Sequence, residues 1–161
     1  MKKKLTIALV AHDQRKADMV DWVIYNAEFL SHHHLVCTGT TGFLVKRALL
    51  NEGIEPDITC MNSGPMGGDA EIAAMVVRKE INLAVFLIDD LNAQPHEADI
   101  MMLLRQCRIH NVPIACNRYS ADLMITSTLW DDETYVPTPP RYERFDREAY
   151  SFLNDVSESD I

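Results

Sequence analysis

The chain has 161 residues, which suits one domain built around a single hydrophobic core. Hydrophobic residues make up 47% and charged residues 24%, the balance of an ordinary soluble globular protein. The formal net charge of −9 and the absence of a basic stripe exclude general nucleic-acid binding, so an anionic ligand needs a local positive site.

The N-terminus begins like a signal peptide, with Met1–Lys4 followed by the apolar run Leu5–Ala11. The run is short, however, and it ends in His12-Asp13 without a small-residue cleavage site. We therefore interpret it as a first strand with a basic lead. No stretch of the sequence is long enough to span a membrane.

Apolar runs then alternate with amphipathic helical patterns along the chain. The expected strands are Leu5–Ala11, Leu35–Cys37, Ile58–Met61, Leu83–Ile88 and Val112–Cys116. The expected helices are Lys16–Leu30, Phe43–Leu49, Asp69–Lys79, Ala98–Ile109 and Ser120–Ile125. Five such units predict a single doubly wound α/β domain, with a mainly parallel five-stranded sheet and helices on both faces.

The C-terminal part changes character, with Pro137, Pro139 and Pro140 following an acidic segment. We expect the α/β domain to span residues 1–130 and residues 131–161 to form an extension without an independent domain. Within this extension, Arg141–Phe152 has the pattern of a short helix, and the polar end Asn154–Ile161 is expected to be loose.

Neither the cysteines nor the histidine run has the spacing of a metal site. His32–His34 lies between a helix and a strand, and we expect a solvated turn there. The cysteines show no C-x-x-C pairing and lie in apolar segments, which predicts buried free thiols in a reducing cytosol; they are Cys37, Cys60, Cys107 and Cys116.

The most informative stretch is Asn62–Asp69, a glycine-rich loop between an expected strand and helix. Its glycines allow sharp turns and a close approach of the backbone to a ligand, and N–H groups at a helix start favour an anion. The loop matches neither G-x-x-x-x-G-K-[ST] nor G-x-G-x-x-G. Taken alone, the carboxylate of Asp69 is more simply explained as a helix N-cap than as a functional group.

In this fold, ligands bind outside the carboxyl ends of the strands, and each of those loops is polar here. The residues concerned are His12, Asp13 and Lys16; Thr38–Gly42; Ser63, Gly64 and Asp69; Asp89–Asp99; and Asn117 with Asp122. Each also has an ordinary use in a cap or turn. Together, hydroxyls, backbone amides and one lysine suit a phosphate monoester, and a carboxylate with a histidine suits proton transfer beside a carbonyl.

Four runs resemble the methylglyoxal synthase family and occur in its order: Ile7–Asp13, Thr38–Gly42, Ser63–Asp69 and Leu91–Asp99. The resemblance implies a lyase that converts dihydroxyacetone phosphate to methylglyoxal and inorganic phosphate through an enediolate. It also implies no metal, no organic cofactor, a cytoplasmic location, a homohexamer and a role as a glycolytic bypass. Phosphate is then both a product and an expected inhibitor.

By this resemblance, Asp69 is the proton acceptor and donor, and His96 polarises the substrate oxygens. The matching substrate-binding positions are His12, Lys16, Thr38, Gly39, Thr40, Thr41, Ser63, Gly64 and His96. Asp13, Asp89 and Asp99 match further acidic catalytic positions, where they are expected to orient His96 and Lys16. Asp90 stands where the family often has proline.

Two alternatives remain at this point. The first is a regulatory module without chemistry, like the allosteric domain of carbamoyl phosphate synthetase, which binds phosphorylated effectors. Such a module needs the Thr38–Gly42 segment but not Asp69 with His96, so their presence favours an enzyme. The second alternative is another sugar-phosphate lyase or isomerase that uses the same base.

Overall fold

The computed structural model describes residues 3–142 and 152–153, and it contains a five-stranded, all-parallel sheet in the order β3-β2-β1-β4-β5. The strands are β1 (Thr6–Ala11), β2 (His34–Thr38), β3 (Asp57–Met61), β4 (Leu83–Leu87) and β5 (Ile114–Ala115). The predicted doubly wound α/β fold is therefore confirmed. The last strand is shorter than the predicted Val112–Cys116, because only Ile114 and Ala115 pair with β4.

The helices are α1 (Lys16–Tyr25), α2 (Ala27–Ser31), α3 (Gly39–Asn51), α4 (Gly68–Val77), α5 (Glu97–Ile109) and α6 (Arg118–Ile125). Short 3₁₀ turns lie at Asp13–Arg15, Gly64–Met66 and Thr128–Trp130. The single helix predicted over Lys16–Leu30 is broken at Asn26, whose Nδ2 donates to the Trp22 carbonyl oxygen at 3.0 Å. Asparagine side chains compete in this way with regular helical bonding.

Alternate residues of the central strand β1 enter two separate hydrophobic cores. Ile7 and Leu9 lie in the core that includes Trp22 of α1. Ala8 and Val10 lie in the second core, which includes Ile72 of α4. Because successive side chains of a strand point to opposite faces, the sheet is covered by helices on both sides.

Two expectations are wrong: the solvated turn at His32–His34 and the burial of all four cysteines. His33 is buried rather than solvated, and its Nδ1 accepts the Leu5 N–H at 2.9 Å. His34 lies in β2, with Nδ1 2.9 Å from Asp57 Oδ1. All four thiols are free, but only Cys37 and Cys107 are buried. Cys60 is exposed because it lies on the edge strand β3, and Cys116 is exposed because it follows the other edge strand, β5; both were expected to be buried.

Residues 131–142 are exposed and form turns and extended chain, with no helix or strand. The helix predicted over Arg141–Phe152 falls almost wholly outside the described residues, and the loose end predicted for Asn154–Ile161 lies entirely outside them. Within residues 3–142 and 152–153, no helix combines the length and apolar character that crossing a bilayer requires.

Candidate active site

The loops at the carboxyl ends of the strands enclose a cavity of about 220 Å³. It lies where the chain order of the sheet switches, since β1 has β2 on one side and β4 on the other. The predicted residues that line it are His12, Asp13, Lys16, Thr38, Thr40, Thr41, Ser63, Gly64, Asp69 and His96. Side chains from four separate loops therefore meet around one small space.

Asp69 is buried in the first turn of α4, with 0% of its surface exposed. The N-cap of this helix is Gly67, with φ +101°, and no side chain caps it, so the interpretation of Asp69 as an N-cap is wrong. Neither carboxylate oxygen of Asp69 has a hydrogen-bond partner within the described part of the chain. Burial raises the pKa of Asp69; His96 opposes this shift, whereas the charge of Asp99 adds to it.

His96, the residue that immediately precedes α5, faces this carboxylate. Its Nε2 lies 3.1 Å from Asp69 Oδ2, but the pair does not have the geometry of a hydrogen bond. A Cβ placed on Gly64 would lie 2.9 Å from the same Nε2 and 3.3 Å from each Asp69 carboxylate oxygen. Glycine at this position therefore leaves open the space that faces both functional groups.

His12 supplies a second imidazole, with its ring centroid 5.5 Å from that of His96. Its Nδ1 accepts the backbone N–H of Asp89 at 2.8 Å. Because that N–H can only donate, the proton of the neutral ring is assigned to Nε2, which is buried with no partner among the described residues. Burial, followed by the nearby His96, lowers the pKa of His12, so the ring is held as a neutral N–H donor.

Lys16 and the start of α3 supply an ammonium group and helix N–H groups to the cavity, and the carboxylate of Asp13 pairs with the lysine. Lys16 Nζ lies 2.6 Å from Asp13 Oδ1 and donates to the Ala11 carbonyl oxygen at 3.1 Å. The segment Thr38–Gly42, expected to be a loop, is instead the N-cap and first turn of α3. First-turn N–H groups have no acceptor within a helix, so Thr40 and Thr41 present an anion-binding N-terminus beside the lysine.

Three predicted site residues do not line the cavity: Gly39, Asp89 and Asp99. Gly39 packs against Ser63, since a Cβ on it would lie 2.7 Å from Ser63 Cα. Asp89 accepts hydrogen bonds from the Leu91 N–H and from Asn92 Nδ2, and the Asn92 bond is the main cause of its lowered pKa. The charge of Asp99 acts on Asp69.

Other polar residues at this edge of the sheet have structural partners. Asn117 caps α6 by accepting the Ser120 N–H at 2.8 Å, and Asp122 accepts the indole N–H of Trp22 at 2.9 Å. Asp90 is exposed and does not line the cavity. Gln94 does line it. Gln94 was not predicted from the sequence, because the family resemblance of this run rests on the residues on either side of it, Asn92-Ala93 and Pro95-His96.

Some of these residue types are familiar metal ligands. Within residues 3–142 and 152–153, however, no group of three or more His, Cys, Asp or Glu side chains is arranged to hold a metal ion. The chemical groups that line the cavity include the buried carboxylate of Asp69, the carboxylate of Asp13 paired with the ammonium group of Lys16, two imidazoles and a helix N-terminus.

Comparison with known proteins gives consistent results. A family model described as an MGS-like domain matches residues 18–116. A methylglyoxal synthase of Treponema socranskii is 73% identical over 158 residues, covering 98% of this chain and 100% of the relative. One of Yersinia enterocolitica is 45% identical over 139 residues, covering 86% of this chain and 88% of the relative. The crystal structure of methylglyoxal synthase from Elizabethkingia anophelis NUHP1 superposes with a TM-score of 0.75 at 34% identity, covering 98% of this chain and 96% of that one.

Proposed function

Because this chain belongs to the methylglyoxal synthase family of enzymes, we propose that it converts dihydroxyacetone phosphate to methylglyoxal and inorganic phosphate. The observation that carries the proposal is the pair formed by Asp69 and His96 at the wall of the cavity. Asp69 is a fully buried carboxylate that no described residue hydrogen-bonds, and it lies 3.1 Å from an imidazole nitrogen. A carboxylate kept in that state is available to accept a proton.

The distribution of charge indicates how the substrate lies. In this proposal its phosphate group binds against Lys16 and the first turn of α3, which supply an ammonium group and helix N–H groups. Its carbonyl oxygen then lies toward His96 and the Nε2–H of His12. A neutral imidazole N–H such as that of His12 stabilises an oxyanion as it develops.

The reaction then follows in three steps. Asp69 removes a proton from the hydroxyl-bearing carbon next to the carbonyl, and the resulting enediolate is held by the two imidazoles. The enediolate electrons expel the phosphate from the other carbon by cleavage of the C–O bond; the hydroxyl proton leaves with the phosphate, and the enolate of methylglyoxal remains. Proton return from Asp69 to the terminal carbon gives the methyl group, so the same carboxylate acts twice.

The orientation of the C–O bond decides between this lyase and an isomerase that uses the same base. Elimination requires the bond to stand roughly perpendicular to the enediolate plane, so that its antibonding orbital overlaps the π system. An isomerase holds the bond in that plane and retains the phosphate. In our proposal, the anion-binding first turn of α3 holds the phosphate group out of the enediolate plane.

Product analysis with dihydroxyacetone phosphate tests the proposal directly. We expect methylglyoxal and inorganic phosphate in equal amounts. Glyceraldehyde 3-phosphate as the main product would support the isomerase, and binding without turnover would support the effector-binding module. Either of these results contradicts the proposed reaction.

The assembly and cellular setting are part of the same proposal. We propose a cytoplasmic homohexamer that acts in a glycolytic bypass, with residues 1–130 as the catalytic domain and 131–161 as its extension. Large apolar side chains on the surface support self-association: Tyr25 is 81% exposed, Phe43 60% and Met66 75%.

Inorganic phosphate should inhibit turnover in competition with dihydroxyacetone phosphate, because both place a phosphate group against Lys16 and α3. Lys16→Met removes the ammonium group, and we expect the inhibition constant to rise about tenfold or more. Initial rates at sub-saturating substrate, measured over a wide phosphate range, give this constant for both proteins. Turnover of the wild type that does not respond to phosphate would contradict the assigned anion site.

The raised pKa of Asp69 predicts a pH profile for kcat/KM. A raised pKa keeps the carboxyl group protonated to higher pH, so the base becomes available only as the pH rises through that pKa. Asp99→Asn removes a charge that raises the pKa of Asp69, and the acidic limb should therefore move to lower pH. Profiles of both enzymes between about pH 5 and pH 9 provide the measurement.

The substrate phosphate also titrates in this range, but it does so identically for both enzymes, so the difference between the profiles reports on the protein. Coincident acidic limbs would show that Asp99 does not act on the catalytic base.

A further inference from the structure

Glu71 lies two residues after Asp69 in α4, and its side chain reaches back to the end of β3. Its Oε1 accepts two hydrogen bonds from the same residue, from the Asn62 N–H at 3.1 Å and from Asn62 Nδ2 at 2.7 Å. Hydrogen bonds to a charged acceptor are stronger than those between neutral groups. Glu71 does not itself line the cavity.

Asn62 connects this carboxylate to two parts of the anion-binding region. Its carbonyl oxygen accepts the Gly39 N–H, the first N–H of α3, at 3.2 Å. The same oxygen packs closely on Gly68, where a Cβ would meet it at 2.0 Å. Ser63 follows directly, and its carbonyl oxygen accepts the N–H groups of Met66 and Gly68 at 3.0 and 2.9 Å.

The single residue Asn62 therefore joins two elements: it contacts α4 through Glu71 and Gly68, and the start of α3 through Gly39. Because the Gly39 N–H donates its hydrogen bond to the Asn62 carbonyl oxygen, the N–H groups of Thr40 and Thr41 are the ones left for an anion. A shift of Asn62 displaces the first turn of α3 and the pair Ser63-Gly64 together.

We propose that Glu71 is a positioning residue, which fixes the phosphate-binding end of the cavity through its two hydrogen bonds to Asn62. The inference rests on the proposed function, because it assumes that the first turn of α3 with Ser63-Gly64 holds the substrate phosphate. A positioning role of Glu71 differs from a purely structural role in its effect on phosphate affinity. A negative charge near a helix N-terminus also stabilises the helix, but that effect alone leaves phosphate affinity unchanged.

The main test compares Glu71→Ala with Glu71→Gln. Alanine removes both acceptor bonds, and we expect phosphate to bind about fivefold more weakly, with KM for dihydroxyacetone phosphate raised to a similar extent and kcat within about twofold of the wild type. Glutamine keeps an Oε1 that accepts both bonds, and it should restore most of the affinity. Calorimetric titration with inorganic phosphate and steady-state kinetics on the same preparations give these quantities.

A second variant keeps the test decisive if Glu71→Ala does not fold. Asn62→Ala removes only the Nδ2 bond, so we expect a loss of phosphate affinity of about twofold. Where both single variants fold, the double variant should bind phosphate no more weakly than Glu71→Ala, because the two side chains act as one unit. Glu28→Ala is the matched control, since it removes the same charge from the first turn of another helix, away from the cavity.

The results distinguish a failure of the proposed function from a failure of the positioning role of Glu71. If the wild type neither binds phosphate nor forms methylglyoxal, the proposed function is wrong. If the wild type does both while Glu71→Ala, or Asn62→Ala in its place, binds phosphate as tightly as Glu28→Ala, the positioning role is overturned and the proposed function stands. A drop in kcat alone would also overturn it, since it would place the effect on proton transfer.

Discussion

Asp69→Asn should reduce methylglyoxal formation by more than the roughly 10²–10⁴-fold loss that is typical of a single general base. The side chain keeps its shape and one oxygen, but it can no longer accept a proton. The larger loss is expected because, in the proposed mechanism, the same carboxylate removes the first proton and returns the last one. Turnover measured on wild type and variant at saturating dihydroxyacetone phosphate gives the ratio.

The stability of this variant provides the control. A buried carboxyl group with a raised pKa stabilises the fold only at low pH, and its contribution is lost as the pH rises through that pKa. Neutral pH lies above the pKa of an aspartate in the unfolded chain, so burial of Asp69 costs stability there, and Asp69→Asn should melt at the same or a higher temperature. It should also still bind inorganic phosphate. Near-normal turnover in a folded variant would falsify the assigned base.

Gly64→Ala should reduce kcat/KM by about 10²-fold or more, since displacing reacting groups by as little as 1 Å has effects of that size. The added methyl group would lie 2.9 Å from His96 Nε2 and 3.3 Å from both Asp69 carboxylate oxygens. The methyl group would occupy the space in which the proposed proton transfer takes place. Steady-state kinetics, combined with a melting curve, measure the effect.

Gly53→Ala is the matched glycine variant. Gly53 has φ +76° with no atom within 4 Å of an added Cβ, and it lies outside the cavity, so the substitution strains the backbone without touching the site. We expect this variant to lose stability but to keep its turnover. If Gly64→Ala retained wild-type kinetics, the space beside Gly64 would not be where the substrate reacts.

Much of the fold was predictable, because the hydrophobic patterns that indicate its strands and helices lie within short stretches of sequence. The apolar run around Leu83–Leu87 predicts a strand buried in a parallel sheet, and all five of its residues are buried. The first turn of α3 was not predictable in this way. Gly39, Thr40 and Thr41 have low helix propensity, and the turn is held by a bond from Gly39 to Asn62, which is distant in sequence.

The candidate site, too, was predictable from the sequence only in part. Polar residues at the strand ends could be grouped from the sequence, because parallel strands bring their carboxyl ends to one edge. The sequence did not show that Asp69 has no hydrogen bond from the residues the structure describes, that Gln94 lines the cavity or that Glu71 binds Asn62. These features depend on side-chain directions, which only the packed structure fixes.

The bond between the Asp89 N–H and His12 Nδ1 has a consequence for the order of folding. It joins residues 77 positions apart, and both are brought together only when β4 pairs with β1. During synthesis, a nascent chain that has completed β1, β2 and β3 still lacks this strand and His96. By the proposed mechanism, the site is incomplete until β4 has paired with β1, so a reactive aldehyde would be produced only by a chain whose core is already assembled.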